Sequence, residues 1–200
     1  MRIHIQIEDG GEFCDVRLGS HDGTNRLTRA CVAELSQSLL ELRREPKPLI
    51  LSGNARFFSA GADLTEIQAL TAATAFEFAR MGQRLMRTIA EYPCAVYAAI
   101  QGYCMGGGLD LALACHCRIA SPHAVFGHRG AALGLITGWG GTQRLPRLIG
   151  KGRALEIFLA AEKIHATQAL RLGLIDGLAE DPITEAAHRI KAAHRTQTIR

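Results

Sequence analysis

The chain opens on two stretches in which apolar and polar residues alternate, 2–8 and 12–18, separated by Asp9-Gly10-Gly11. A period of two on both sides of a glycine-bearing turn predicts a β-hairpin. The period then lengthens. Ala30, Leu35, Leu39 and Leu42 fall near helical spacing behind Thr28, a residue suited to capping, and Pro46 and Pro48 close the segment. A helix from Thr28 to about Arg44 is predicted. Two apolar runs, "LILSG" at 49–53 and "CAVYAAIQ" at 94–101, read as buried strands. Between them lie a loop, "NARFFSAGAD", and one or two amphipathic helices over 63–91.

Beyond the second run, "GYCMGGG" leads into a helix from about 107, followed by strands near "CRIAS" and "VFG". "GLITGWGGTQRL" passes from a glycine-rich loop into a helix that ends near Gly150. Further helices are predicted at about 152–160 and 167–172, then a short strand in "LIDGLAE" and an amphipathic helix over about 183–195. Strands that alternate with helices, the later ones continuously apolar, point to an α/β fold with parallel-rich sheets covered by helices. With no internal repeat or linker, residues 1–200 read as a single domain.

Composition narrows the picture only at its edges. A hydrophobic share of 48% and a charged share of 21% are those of an ordinary globular protein. The net charge of +4 is dispersed, and the cluster Arg144, Arg147, Lys151 and Arg153 is too sparse for a nucleic-acid surface. Neither an apolar signal core nor an uninterrupted apolar span of about 18 residues is present, so no membrane partner is expected. The six cysteines follow no disulfide framework, and Cys115 and Cys117 flank His116 without a second cluster to complete a zinc site. A reducing, cytoplasmic setting and no metal are the expectation.

The chemistry concentrates in two loops. "FFSAGAD" follows the first buried strand and "GYCMGGG" the second, and each is a small-residue turn that is predicted to open into a helix. Loops at the carboxyl ends of parallel strands are where ligands bind. Helix N-termini offer free N–H groups and a partial positive charge. Two such donors converging on one point make an oxyanion hole; a phosphate cradle is the competing use. The glycine block is expected to let a ligand or another backbone approach closely.

"FFSAGADL", "AIQGYCMGGGLDLALAC" and "GLITGWGGTQRLPRLIGKGRALEIFLAAEKIHATQALRLGLID", in this order and spacing, resemble the crotonase, or enoyl-CoA hydratase/isomerase, superfamily over about residues 12–190. The resemblance implies a crotonase-like ββα spiral and an acyl-CoA thioester as substrate. Coenzyme A is then part of the substrate and no separate cofactor is needed. It further implies that the N–H groups of Ala62 and Gly107 polarise the thioester oxygen. Ala60, Gly61, Asp63, Leu64, Tyr103, Met105, Gly106, Gly130, Thr137 and Gly138 are carried over with these two as substrate-lining positions. A homotrimer or dimer of trimers is the implied assembly.

Several positions depart from the pattern. Family hydratases use two glutamates; the first position is Asp110 here, and the second falls on Gly130, which has no side chain. Two-carboxylate hydration therefore loses one partner. Asp110 is either the principal acid/base or a carboxylate at the first turn of its own helix, and its flanks Leu109 and Leu111 favour the former. His128 and Arg129, just before the gap, are the candidates to supply a second proton transfer or to hold an anion, or else are ordinary loop residues. His128 joins Asp110 as a catalytic candidate. His116 stands where relatives carry an aspartate, and Thr137 and Trp139 put bulk near the expected acyl pocket, Trp139 as a wall or as core. The helical region after Ile190 is shorter than in relatives, which implies a more open pocket or a trimer built on other surfaces. The function expected is that of an enoyl-CoA hydratase/isomerase-type enzyme. Other enolate reactions (isomerisation, decarboxylation, thioester hydrolysis) and non-catalytic acyl-CoA binding are the alternatives.

Overall fold

In the computed structural model, which describes residues 4–198, the opening alternation becomes β1 (Ile5–Asp9) paired antiparallel with β2 (Cys14–Leu18). Asp9 accepts a hydrogen bond from the Gly11 N–H at 2.8 Å, which closes the turn. A two-residue strand, β3 (Arg26–Leu27), precedes α1 (Arg29–Leu42). Thr28 caps α1 as expected, its hydroxyl accepting from the Cys31 N–H at 3.1 Å. The buried stripe is Cys31, Val32, Leu35 and Leu39, with Ala30 turned outward instead of inward. There follow β4 (Leu49–Ser52), β5 (Phe57–Ser59), β6 (Gly61–Ala62), α2 (Leu64–Gln68) and α3 (Ala72–Ala90). The segment expected to be a loop, "NARFFSAGAD", thus carries two strands, because both edges find partners far away in sequence.

The second half holds β7 (Val96–Ile100), β8 (Tyr103–Met105), α4 (Gly107–Ala114), β9 (Cys117–Ala120) and β10 (Val125–Gly127). A short 3-10 turn at Ala131–Leu133 leads to α5 (Gly141–Ile149) and α6 (Lys151–Ala160). The last elements are β11 (Ile164–His165), α7 (Ala166–Arg171), β12 (Gly177–Leu178) and α8 (Pro182–Thr198).

Six strands form one sheet in the order β1-β2-β4-β7-β9-β12, parallel except for the hairpin at its edge. The apolar run of β4 is explained by burial on both faces. Leu49 and Leu51 point into the main core with Val96, Ala98 and Ile100 of β7. Ile50 points the other way, with Ala99 and Ile119, onto Ala186 and Ile190 of α8. Side chains alternate across a strand, so a strand covered twice must be apolar at every position.

The second sheet, β11-β10-β8-β5, positions the site. Strands β5 and β8 run parallel, Phe57 opposite Tyr103 and Ser59 opposite Cys104, with a register shift between. Parallel neighbours end at the same edge. The residues after each strand, 60–62 and 106–107, are therefore delivered to one place.

Candidate active site

The two delivered loops touch, and glycine is what lets them. Gly61 has φ +93, and a methyl built on it would lie 2.6 Å from the Met105 carbonyl oxygen and 2.9 Å from the Gly107 nitrogen. A methyl on Gly107 would lie 3.2 Å from the Ala62 nitrogen. The N–H of Gly107 is in the first turn of α4, where no intrahelical acceptor exists. The neighbouring glycines answer different needs. Gly106 has φ +51 with open space around it, so it serves backbone conformation. Gly108 faces the Ser59 Cβ and carbonyl oxygen, each 2.7 Å from an added methyl, so it serves helix-on-strand packing.

The first loop opens into a helix as expected, α2 from Leu64, while the Ala62 backbone lies in β6, beside Leu27 of β3. Asp63 is the helix cap, accepting from the Thr65 and Glu66 N–H groups at 2.9 and 3.1 Å and pairing with Arg26 at 3.2 Å. The bond from the Glu66 N–H, with help from Arg26 and the Thr65 N–H, holds its carboxyl below the usual carboxylate range. Asp63 is thus engaged in holding α2, and Leu64 is half exposed. The Ala60 N–H donates to the Thr24 carbonyl at 2.9 Å. Tyr103 stacks on Phe57, ring centroids 5.4 Å apart, under the Lys163 ammonium at 5.3 Å. It lines a cleft of about 320 Å³ with Arg56, Gln101, Ser121, His123 and Glu180, which contains neither Ala62, Gly107 nor Asp110. Tyr103 therefore stands apart from Ala62 and Gly107, whereas the Gly61 and Met105 backbones meet beside them.

Asp110 follows Gly107 by three residues and so shares a face of α4 with it. Its side chain does not turn back onto its own helix. The Thr137 hydroxyl donates to Asp110 Oδ2, and His128 Nε2 lies 3.1 Å from Oδ1. That approach falls short of hydrogen-bond alignment, and both atoms stay buried without a hydrogen-bond partner. Asp110 is 1% and His128 4% exposed, and the imidazole packs on the Phe158 ring at 5.2 Å. Gly141, at the start of α5, closes the cluster: a methyl there would collide with Asp110 Oδ1 and come within 3.0 Å of His128 Nε2. A buried carboxylate beside an imidazole is an arrangement able to store and return a proton. Thr137 thus contributes a hydroxyl to the carboxylate in addition to bulk, and Gly138 uses its carbonyl to accept from Gln83 Nε2 at 2.8 Å.

Gly130 is not simply a position that lost its side chain. Its φ of −57 suits any residue, yet an added methyl would lie 2.6 Å from the Leu135 carbonyl oxygen. The Leu133 and Leu135 N–H groups both donate to the Gly130 carbonyl at 2.8 Å, so the turn is closed on itself. Gly130→Glu is expected to open this turn and lower the melting temperature, which thermal melting checks. Arg129 is exposed and His128 buried, so of these two only His128 reaches Asp110. His116 uses Nδ1 to accept from the Val96 N–H at 2.9 Å.

Two contributors escaped the sequence. Ser59 accepts from the Gly61 N–H at 3.1 Å and donates to the Asn25 carbonyl at 2.7 Å, bracing the loop that carries Ala62. A lone polar residue between "FF" and "AG" was the only signal. Arg144, half-buried on α5, has its guanidinium held below the usual range by burial, which the Asp110 charge only partly offsets. Cys115, beside His116, is core: burial pushes its thiol up to about 12. Among the described residues no group of three His, Cys, Asp or Glu could hold a metal ion, and no helix is long and apolar enough to cross a membrane.

Known proteins share this arrangement of strands and loops. The family model for enoyl-CoA hydratase/isomerase matches residues 8–196. A probable enoyl-CoA hydratase of Bacillus subtilis (strain 168) is 41% identical over 171 residues, which cover 84% of this chain and 66% of that protein. The chain thus spans just under two thirds of this relative's length. Among solved structures, an enoyl-CoA hydratase from Bacillus anthracis superposes with a TM-score of 0.90 at 32% identity, covering 95% of this chain and 76% of that one. DspI from Pseudomonas aeruginosa gives 0.88 at 34% identity, covering 97% and 80%.

Proposed function

The chain belongs to the enoyl-CoA hydratase/isomerase family, and from that premise we propose that it is an acyl-CoA-processing enzyme that works through a thioester enolate. The observation that carries this reading is the approach of the Ala62 and Gly107 backbones, with Asp110 one helical turn beyond the second. The thioester oxygen binds to the two N–H groups, which stabilise the negative charge that develops on it. For hydration, water oxygen adds to Cβ while its proton passes to Asp110. The Asp110–His128 pair then delivers a proton to Cα, and the enolate collapses back to the thioester. Thr137 holds Asp110 Oδ2, so Oδ1, on the His128 side, is the oxygen that carries the proton.

A second reading, isomerisation by proton transfer alone, is favoured by one fact: nothing at Gly130 can hold the water as a second carboxylate would. Crotonyl-CoA incubated in D₂O and weighed by mass spectrometry separates the two. A gain of one heavy water supports hydration, deuterium gained without water supports the isomerase reading, and an unchanged thioester sinks hydration of short enoyl chains. His128→Ala tests the pair, since unchanged turnover would remove His128 from the mechanism.

Self-association into a trimer, or a dimer of trimers, extends the proposal. Leu155 and Leu159, one turn apart on α6, and Leu133 and Ile136, in the segment before α5, are each more than half exposed and offer apolar surface for a second copy. A cytoplasmic site of action is consistent with six free cysteines.

A further inference from the structure

Trp139 is the one large side chain of the 137–141 loop that the chemistry above leaves without a role. It is 3% exposed, and its Nε1–H donates to the Phe78 carbonyl at 3.2 Å. Its ring lies 5.2 Å from the Phe78 ring. Two glycines mark out the space it takes. A methyl on Gly82 would collide with Cδ1, Cγ and Nε1 of the indole. Gly82 sits in the interior of α3, a helix of 19 residues, where glycine is destabilising relative to alanine. At the other edge of the ring, Cζ3 and Cε3 lie 2.8 and 2.9 Å from where a methyl on Gly107 would be. The indole therefore reaches from a notch in α3 to the α-carbon of the residue that supplies one donor.

The loop that holds it is pinned on both sides. The carbonyl of Gly138 accepts from Gln83 of α3 at 2.8 Å, and the carbonyl of Trp139 accepts from Arg144 of α5 at 3.4 Å. A ring held in this way cannot swing aside at small cost.

We propose that Trp139 is the end wall of the acyl pocket and restricts this protein to short acyl chains. The inference rests on the reading that the thioester oxygen sits at Ala62 and Gly107. A chain that leaves that point towards α3 meets the indole, which lies between Gly107 and Gly82. Removing the ring opens the Gly82 notch directly onto the hole and lengthens the pocket.

The test is binding, so that it does not depend on which reaction follows. Butanoyl-, octanoyl- and dodecanoyl-CoA present the thioester oxygen to the donors but have no double bond to hydrate. Their dissociation constants are measured by titration calorimetry on the wild type, Trp139→Phe and Trp139→Ala. Thermal melting identifies which variants are folded, and the phenylalanine variant stands in if the alanine variant is not. The wild type is expected to bind butanoyl-CoA at least about tenfold more tightly than dodecanoyl-CoA, consistent with what a few methylenes are worth in a shaped pocket. In a folded variant the ratio is expected to fall to about one or to invert. The proposal is overturned by an equal ratio in wild type and variant, or by a wild type that binds dodecanoyl-CoA as tightly as butanoyl-CoA. In both cases the thioester reading survives, because binding is intact. A wild type that binds none of the three overturns the thioester reading and the pocket wall together.

Discussion

Asp110→Asn is expected to lower kcat for crotonyl-CoA by about 10²- to 10⁴-fold, the usual worth of a positioned general acid/base. The change keeps the shape of the side chain, so the Thr137 hydroxyl retains an acceptor at the Oδ2 position. What disappears is the ability to take a proton beside His128 Nε2. The loss belongs at the upper end of the range because no second carboxylate shares the proton transfers. The other family position is Gly130, in a turn closed by Leu133 and Leu135. Steady-state kinetics give the value, and a melting curve close to that of wild type ties the loss to chemistry. A variant that keeps more than a tenth of wild-type kcat would strip Asp110 of its role. Asp110→Glu is the companion: it restores the reach of a glutamate but adds a methylene in a fully buried site, at a cost of about 1–3 kcal/mol in stability.

Gly107→Ala carries the second large effect. The methyl must enter between the Trp139 ring, 2.8–2.9 Å away, and the Ala62 nitrogen at 3.2 Å. Either the indole moves or the two donors are pushed apart, and the pinned loop favours the latter. Loss of one donor of this kind costs about 2.7–4 kcal/mol, a fall in kcat of about 10²- to 10³-fold. Gly106→Ala makes the control. Its methyl meets nothing, but φ +51 strains any L-residue, so its penalty should fall on the melting temperature more than on kcat. Equal kinetic losses in the two variants would mean that the glycine block serves folding and not an oxyanion.

The comparison of these glycines also marks how far a sequence can be read. Three consecutive glycines announce that something comes close. Which needs φ, which needs room for a strand and which needs room for a ring are questions about Ser59, Ala62 and Trp139, far from them in the chain. Asp110 is legible as a candidate from its spacing to Gly107. Its partners are legible only as names: His128 stands beside the missing carboxylate, and Thr137 offers bulk, whereas in the fold its hydroxyl holds Asp110. The resemblance carries Tyr103 over as substrate-lining, whereas an outward-facing position on β8 puts its ring in a cleft without Ala62, Gly107 or Asp110.

By itself, the sequence determined the elements whose signal is local. The hairpin, the Thr28-capped helix and the doubly buried β4 and β7 each follow from a period, a cap or an uninterrupted apolar run. So do the two loop motifs and the absence of a carboxylate at Gly130. Tertiary structure decided what depends on pairing across the chain. Strands β5 and β6 are three and two residues long, too short for any period, and exist because β8 and β3 supply their hydrogen-bond partners. Parallel pairing of β5 with β8 then brings two backbones together, and the return of loop 137–141 over α4 surrounds Asp110 and seats the indole. Periodicity is set by neighbours in sequence, whereas a site is set by which strand ends share an edge, and that is known only once the sheets have formed.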